Sequence, residues 1–199
     1  MSTTLPSLPR QSGLSLLELL LAVLLTGCAA KERTLSQKAL DLRTGLMEAG
    51  GCTFTAAVTA DLGGRVYPFT LDCAVDLQGE TTLTVVEPEA IQGITTSVSQ
   101  DGATVEFDGA ALDFGALAGG NLAPMAFPWH LGQCLQSGYI AAAGQDGALE
   151  KVTYLVGYGE EAMTFEIWLD EGGLPVHCEV LYDGARCLTA DITGFQWKS

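Results

Sequence analysis

Two kinds of hydrophobic pattern divide this sequence. Residues 14–25 form a twelve-residue leucine-rich stretch with a single charge, Glu18. From Cys52 onwards, apolar and polar residues instead alternate, and Gly-Gly or Asp-Gly pairs interrupt the alternation. The first pattern predicts one short apolar segment, and the second predicts antiparallel β-strands joined by tight turns.

The alternation predicts about six strands in the first half of the chain. Gly63-Gly64, Gln100-Asp101-Gly102 and Asp108-Gly109 separate alternating runs, and glycine accepts the positive φ that hairpin turns need. The predicted strands are 52–58, 67–73, 80–87, 94–99 and 103–107, with a further strand after Asp108-Gly109.

Two segments have helical character. In residues 31–48 the apolar positions Leu35, Ala39, Leu42 and Leu46 recur at helical spacing, and Gly50-Gly51 ends the segment. Residues 129–137 follow Pro128 and precede Gly138, which is the arrangement typical of a short helix.

Alternation resumes after this helical insert, at 139–143, 151–157, 162–170, 176–182 and 185–197. The fold class expected is therefore mainly β with flanking helices. We expect a curved antiparallel sheet, an incomplete β-barrel of about ten strands, covered by the N-terminal helix and the short helical insert.

The N-terminal stretch has the form of an export signal. As a helix, residues 14–25 would span about 18 Å, which is less than the ~30 Å hydrocarbon core of a bilayer. Arg10 precedes the stretch and small residues follow it. The next residues, Leu25-Thr26-Gly27-Cys28, resemble the lipobox of bacterial lipoproteins, in which the cysteine thiol accepts a diacylglycerol.

This resemblance implies that residues 1–27 are a signal peptide and that 28–199 form one domain, lipid-anchored at Cys28 on the extracytoplasmic face of the cell membrane. Two alternatives remain open. An ordinary signal peptide would be cut near Ala29-Ala30, with loss of Cys28. Gly13-Leu14 followed by Glu18 also resembles the cleavage site of type IV prepilins, although charges resume at Lys31, sooner than in a pilin helix.

Composition and net charge restrict the classes of molecule that this chain is expected to bind. Apolar residues make up 48% of the chain and charged residues 17%, which is typical of a globular protein. The net charge is −15, and loss of residues 1–27 leaves it unchanged because one base, Arg10, and one acid, Glu18, are removed together. We expect no nucleic-acid partner, because neutralising phosphates needs a basic surface.

Six cysteines in an exported chain suggest disulfides. With Cys28 assigned to lipid, Cys52 and Cys73 are the first candidate pair, because they fall near one another across a predicted hairpin. Cys178 and Cys187 lie diagonally across another hairpin, and Cys134 is expected to be a small buried residue. No pair has the close spacing of a zinc or redox motif, so we expect no metal.

Catalytic signatures are missing from the sequence. His130 and His177 lie in no nucleophile–base motif, and no glycine cluster has the context of a phosphate-binding loop. Carboxylates are plentiful, so an envelope hydrolase with paired carboxylates stays a distant alternative. We expect a protein that is not an enzyme and that has no cofactor.

The order of elements resembles the lipoprotein-carrier (LolA/LolB-like) superfamily. The resemblance lies in the helix running into 52–54, the segment 88–94, the hairpins at 101–102 and 107–109, and the late strands 165–169, 175–181 and 188–195. It implies an incomplete barrel whose concave apolar face, covered by helices, holds acyl chains. No individual functional residue of that superfamily can be matched here.

The residues themselves also predict a cavity, because ten strands with one apolar face offer more surface than two short helices fill. The candidate lining residues are Phe69, Leu71, Trp129, Leu135, Tyr154, Val156, Phe165 and Ile167. The function hypothesis is an anchored envelope lipoprotein that binds or carries a lipid or another amphipathic ligand. The alternative is a structural or protein-interaction lipoprotein with a solid core.

Overall fold

A computed structural model describes residues 37–61, 66–99, 102–107, 110–114, 124–159 and 162–198. These residues belong to one compact unit. The predicted helix over 31–48 is described from residue 37, and it ends at residue 49. Gly50 follows with φ +71°, a left-handed conformation that suits glycine and terminates the helix.

Eleven strands and two helices make up the described fold. In the first half, helix α1 (37–49) is followed by β1 (Gly51–Asp61), β2 (Val66–Asp76), β3 (Thr81–Glu87), β4 (Thr95–Ser99), β5 (Gly102–Phe107) and β6 (Ala110–Phe114). The second half contains helix α2 (Phe127–Ser137), β7 (Tyr139–Asp146), β8 (Leu149–Val156), β9 (Met163–Leu169), β10 (Pro175–Tyr182) and β11 (Ala185–Trp197). Short 3-10 turns cover Glu89–Ile91 and Pro124–Ala126.

All eleven strands form one antiparallel sheet, in the order β6-β5-β4-β3-β2-β1-β11-β10-β9-β8-β7. The two halves of the chain meet where β1 pairs with β11, from Cys52 opposite Trp197 to Ala60 opposite Leu188. Among the described residues β6 and β7 do not pair with each other, so the curved sheet stays unclosed. The predicted fold class is confirmed.

One face of this sheet is the core. The strand register aligns apolar side chains in a row across this face. Tyr154 lies opposite Phe165, Phe165 opposite Val180, and Val180 opposite Leu188. Each of these four side chains is at most 1% exposed. Because strand residues alternate between faces, this buried row follows directly from the period-two sequence pattern.

Helix α1 closes part of this face. It buries Ala39, Leu42 and Leu46, the stripe that the sequence predicts. Lys38 forms an ion pair with Glu150 at the start of β8, at 2.6 Å. Arg43 donates hydrogen bonds to the carbonyl oxygens of Leu135 and Gly138, which join α1 to the end of α2.

Helix α2 packs on β2, β3 and β8. It begins at Phe127, earlier than predicted, with Pro128 in its first turn, where a missing N–H is tolerated. A Cβ on Gly132 would lie 2.6 Å from Cγ1 of Val75, so glycine permits the close approach of helix and sheet. Neither described helix has the length and apolar character required to cross a membrane.

Candidate functional site

The predicted cavity residues divide into two groups. Leu71, Leu135, Tyr154, Phe165 and Ile167 are at most 1% exposed and belong to the main core cluster. Phe69 and Val156 are half-buried and pack against that cluster, and Trp129 is half-buried on α2. The five buried residues contact other side chains of the core, so only the three half-buried residues are accessible from solvent. That all eight contact a ligand stays a prediction.

A groove of about 680 Å³ lies beside β2, where β3 leaves the sheet. Its walls come from β1, β2, the end of β3 and the turn after it: Ala57, Val58, Thr59, Pro68, Phe69, Thr70, Val86, Glu87, Pro88, Glu89 and Gln92. Val58 belongs to the core cluster and Phe69 packs against it. The groove therefore reaches the apolar face of the sheet at these two residues.

Strand pairing explains why the groove exists. β3 pairs with β2 only along Thr70–Ala74, and Glu87 is the last residue of β3. Residues 66–69 of β2 continue past this point, and no described strand pairs with their outer edge. The chain turns away at Pro88 and the 3-10 turn Glu89–Ile91, which leaves the groove open beside β2.

The groove combines apolar and polar walls. Strand alternation places Ala57 and Thr70 on the face opposite Val58 and Phe69, so the groove spans the sheet edge. The Thr70 hydroxyl donates a hydrogen bond to Glu87 at 3.1 Å. With Glu89 also exposed at its margin, the groove suits a ligand that has both an apolar part and a polar part.

Of the side chains that line this groove, only Phe69 is among the residues predicted from the sequence. A signal was present: Pro68 lies inside an alternating run, and proline within a strand indicates an edge because it cannot donate to a ladder. The cis peptide bond between Glu87 and Pro88 at the end of β3 has no comparable sequence signal.

The candidate disulfide pair lies on the inner face. Cys52 is opposite Val75 and Cys73 is opposite Phe54, so the two thiols are diagonal neighbours on β1 and β2. Both are buried free thiols in this structure. Burial raises the pKa of Cys52 to about 12 and also raises that of Cys73, which disfavours the reactive thiolate. A disulfide between them stays a prediction.

Three polar groups are enclosed in the interior. His130 Nε2, Glu150 Oε2 and the Tyr154 hydroxyl are buried without a hydrogen-bond partner among the described residues. Burial lowers the pKa of His130 to about 4 and raises the pKa of Tyr154, so both side chains are neutral near pH 7. Neither side chain therefore places a charge in the apolar interior.

The outer face carries a row of polar side chains. Lys151 lies over the Trp168 ring at 4.8 Å, and the edge of His177 meets the same ring at 5.0 Å between centroids. His177 Nδ1 and Asp191 Oδ1 are 2.6 Å apart. The part of the chain with described coordinates contains no group of three potential metal ligands.

The residues of the predicted anchor, Leu25, Thr26, Gly27 and Cys28, lie outside the described residues, as does the alternative prepilin site at Gly13-Leu14. Lipidation at Cys28 and the division into 1–27 and 28–199 therefore stay predictions.

Comparisons with known proteins bear on the fold. No family model and no curated relative matches this sequence. Among solved structures, the chain is similar to an outer membrane lipoprotein-sorting protein domain from Vibrio parahaemolyticus, at 8% identity and TM-score 0.45, covering 86% of this chain and 94% of that one.

A LolA superfamily protein from Nitrosomonas europaea is similar at 8% identity and TM-score 0.42, over 81% of this chain and 94% of that one. A conserved protein from Thermus thermophilus has 11% identity and TM-score 0.45, over 81% and 86% of the respective chains. The Nitrosomonas europaea structure carries the name of the superfamily that the order of elements was expected to resemble. These values describe a distant similarity in the arrangement of the strands.

Proposed function

We propose that this chain is a lipoprotein of the bacterial cell envelope, anchored through Cys28, that holds a lipid or another amphipathic ligand against its sheet. The observation that carries the proposal is the groove beside β2, which reaches the apolar face at Val58 and Phe69. Its volume of about 680 Å³ falls within the ~300–1,000 Å³ of small-molecule sites.

The walls of the groove support an amphipathic ligand over a purely apolar one. An acyl chain gains most by covering the half-buried Phe69 ring, because that ring still exposes apolar surface. Glu87, Glu89 and Gln92 then remain near the polar end of the ligand. A fully apolar ligand would desolvate these polar groups and offer them no hydrogen bond in exchange, which costs free energy.

The purified mature protein, analysed by native mass spectrometry, tests the ligand half of the proposal. The expected result is a bound lipid-sized mass at one per chain, released on denaturation. A chain that is bare when isolated, and that also takes up no added fatty acid or phospholipid, contradicts ligand binding.

Intact mass and membrane fractionation test the anchor half. The expected wild-type product begins at acylated Cys28 and sediments with membranes, and Cys28→Ala loses both properties. A product that begins at methylated Leu14 would instead identify a pilin-like subunit. A product cut after Ala29 or Ala30 would identify an ordinary secreted protein. Either one contradicts the anchor.

A structural or protein-interaction role is the second candidate. It is favoured by the core beneath the helices, where Phe165, Ile167 and Tyr154 are 0% exposed. A ligand-free chain that captures one reproducible protein partner would support this candidate over the first.

A further inference from the structure

Three exposed tyrosines and one half-buried tyrosine, Tyr182, lie at one end of the sheet. We call this end the tyrosine rim and define it by Val66, Tyr67, Tyr139, Leu155, Tyr158 and Tyr182. Register places these residues together, since Tyr67 is opposite Ala60, Tyr139 is opposite Leu155, and Tyr182 is opposite Ala185 and Met163. Tyr158 follows β8 at the same end. The rim thus holds four of the five tyrosines of the chain.

Apart from the half-buried Tyr182, the side chains of the rim are highly exposed for apolar groups. Tyr158 is 96% exposed, Tyr139 is 70% and Val66 is 61%. They are spread over strands from β2 to β7, six inter-strand steps, which at ~4.8 Å each is an arc of about 29 Å. A protein interface concentrates its anchors in a central desolvated patch, whereas single tyrosines along an edge suit the headgroup layer of a bilayer.

The charged residues around the rim indicate which lipid headgroups it can contact. Asp61 and Asp183 lie at this end, and Arg186 already pairs with Glu179 at 2.7 Å. The described residues around the rim therefore show no surplus of basic side chains, and the whole chain carries a net charge of −15. Anionic lipids would repel such a surface, whereas zwitterionic headgroups would not.

The rim is continuous with the groove. The ring of Tyr67 stacks on that of Phe69 at 6.5 Å between centroids and 22° between planes, and Phe69 lines the groove. We propose that the tyrosine rim docks into the headgroup layer of a zwitterionic bilayer and brings the groove to the membrane surface. The route for ligand entry rests on the proposed function, but docking itself does not require a ligand.

Tryptophan quenching on vesicles tests docking with the full chain. Tyr158→Trp places a reporter on the rim. Met47→Trp is the matched control, because Met47 is 57% exposed on α1 near Gly50-Gly51, at the opposite end of the sheet. In phosphatidylcholine vesicles with brominated acyl chains, we expect about half of the added emission to be quenched at position 158 and almost none at position 47.

Three results of the quenching experiment would overturn docking as proposed. Equal quenching at both positions indicates non-specific adsorption, and no quenching at position 158 indicates that the chain is only tethered. Stronger quenching when phosphatidylglycerol is added contradicts the charge argument. A fourth outcome, a concentration-dependent dimer that Tyr139→Ser with Tyr158→Ser abolishes, would assign the rim to a second copy of the chain and would also overturn docking.

The route of ligand entry has its own measurement. With Tyr139→Ser and Tyr158→Ser together, uptake of a fluorescent fatty acid from phosphatidylcholine vesicles should slow by about tenfold, because two apolar rings no longer enter the headgroup layer. The affinity of this variant for the same probe added from solution should not change. If wild-type chain binds no probe from either source, the proposed function fails while the quenching result still stands.

Discussion

The inner face of the sheet is fully covered in one region and left partly accessible in another. On β8 and β9, Tyr154, Phe165 and Ile167 are fully buried in the main core cluster. At the outer edge of β2, Phe69 is half-buried and Tyr67 is 37% exposed, although both follow the same alternation. Alternation therefore decides which face is apolar, and the covering elements decide whether that face becomes solid core or an accessible surface.

The largest difference between the two regions should appear in stability. Phe165→Ala empties a site that is 0% exposed and should lower the free energy of unfolding by about 4 kcal/mol. Phe69→Ala removes a half-buried ring and should cost about 1 kcal/mol. Urea denaturation of both variants measures the two values. Equal losses would mean that the β2 edge is packed as tightly as the core.

Acid should destabilise the packed region through His130. Burial holds the pKa of His130 at about 4 in the folded chain, against about 6.5 when unfolded. Below pH 6.5 the unfolded state binds a proton that the folded state does not bind until about pH 4. With respect to His130, the free energy of unfolding is therefore highest above pH 6.5. It should fall by about 2 kcal/mol between pH 7 and pH 5, as the unfolded state takes up a proton.

Urea denaturation of His130→Leu at pH 7 and pH 5 measures this effect, and the variant should show the smaller pH dependence. Gln133→Leu, a non-titrating change on the same helix, should keep the wild-type dependence. An unchanged pH dependence in His130→Leu would show that the imidazole is accessible to protons in the folded state.

Gly132→Ala tests the close contact of α2 with β2. The added Cβ would lie 2.6 Å from Val75 Cγ1, so helix and strand must separate, at a cost of about 1.5 kcal/mol. Gly144→Ala on β7 is the control, because its Cβ would meet nothing within 4 Å. Thermal unfolding should separate the two variants. A Gly132→Ala chain as stable as Gly144→Ala would contradict the tight packing of α2.

The smallest predicted loss of stability concerns two ion pairs. Lys38 pairs with Glu150, whose side chain is 10% exposed, whereas Lys198 pairs with Asp76 at a more open position. Lys38→Met leaves a largely buried carboxylate unpaired and should cost about 1 kcal/mol, because Lys38 itself is one-third exposed. Lys198→Met should cost less than about 0.5 kcal/mol. Similar costs in urea denaturation would show that α1 does not shield Glu150.

Much of this architecture could be predicted from the sequence. Turn glycines and alternation located the strands, and β11 has the predicted ends, 185–197. The stripe of Ala39, Leu42 and Leu46 predicted the buried side of α1. These features are local, since they depend on residues within a few positions of one another.

The site was predicted less well because its position depends on register and coverage. Alternation cannot distinguish Phe165, which is buried in the core, from Phe69, which lines the groove. That difference arises because β3 pairs with β2 only as far as Thr70 and then departs at Glu87. The pairing of Thr70 with Glu87 joins residues 17 positions apart, which a local pattern does not reveal.

Affinity for an acyl probe is the most direct test of the central claim, that the chain holds an amphipathic ligand at the β2 edge. Phe69→Ala is compared with Phe195→Ala, because both rings are half-buried against the same core cluster but Phe195 lies at the far end of β11. The Kd of a fluorescent fatty acid should rise at least about fivefold in Phe69→Ala. It should stay at the wild-type value in Phe195→Ala. Equal affinities in all three chains would contradict the account.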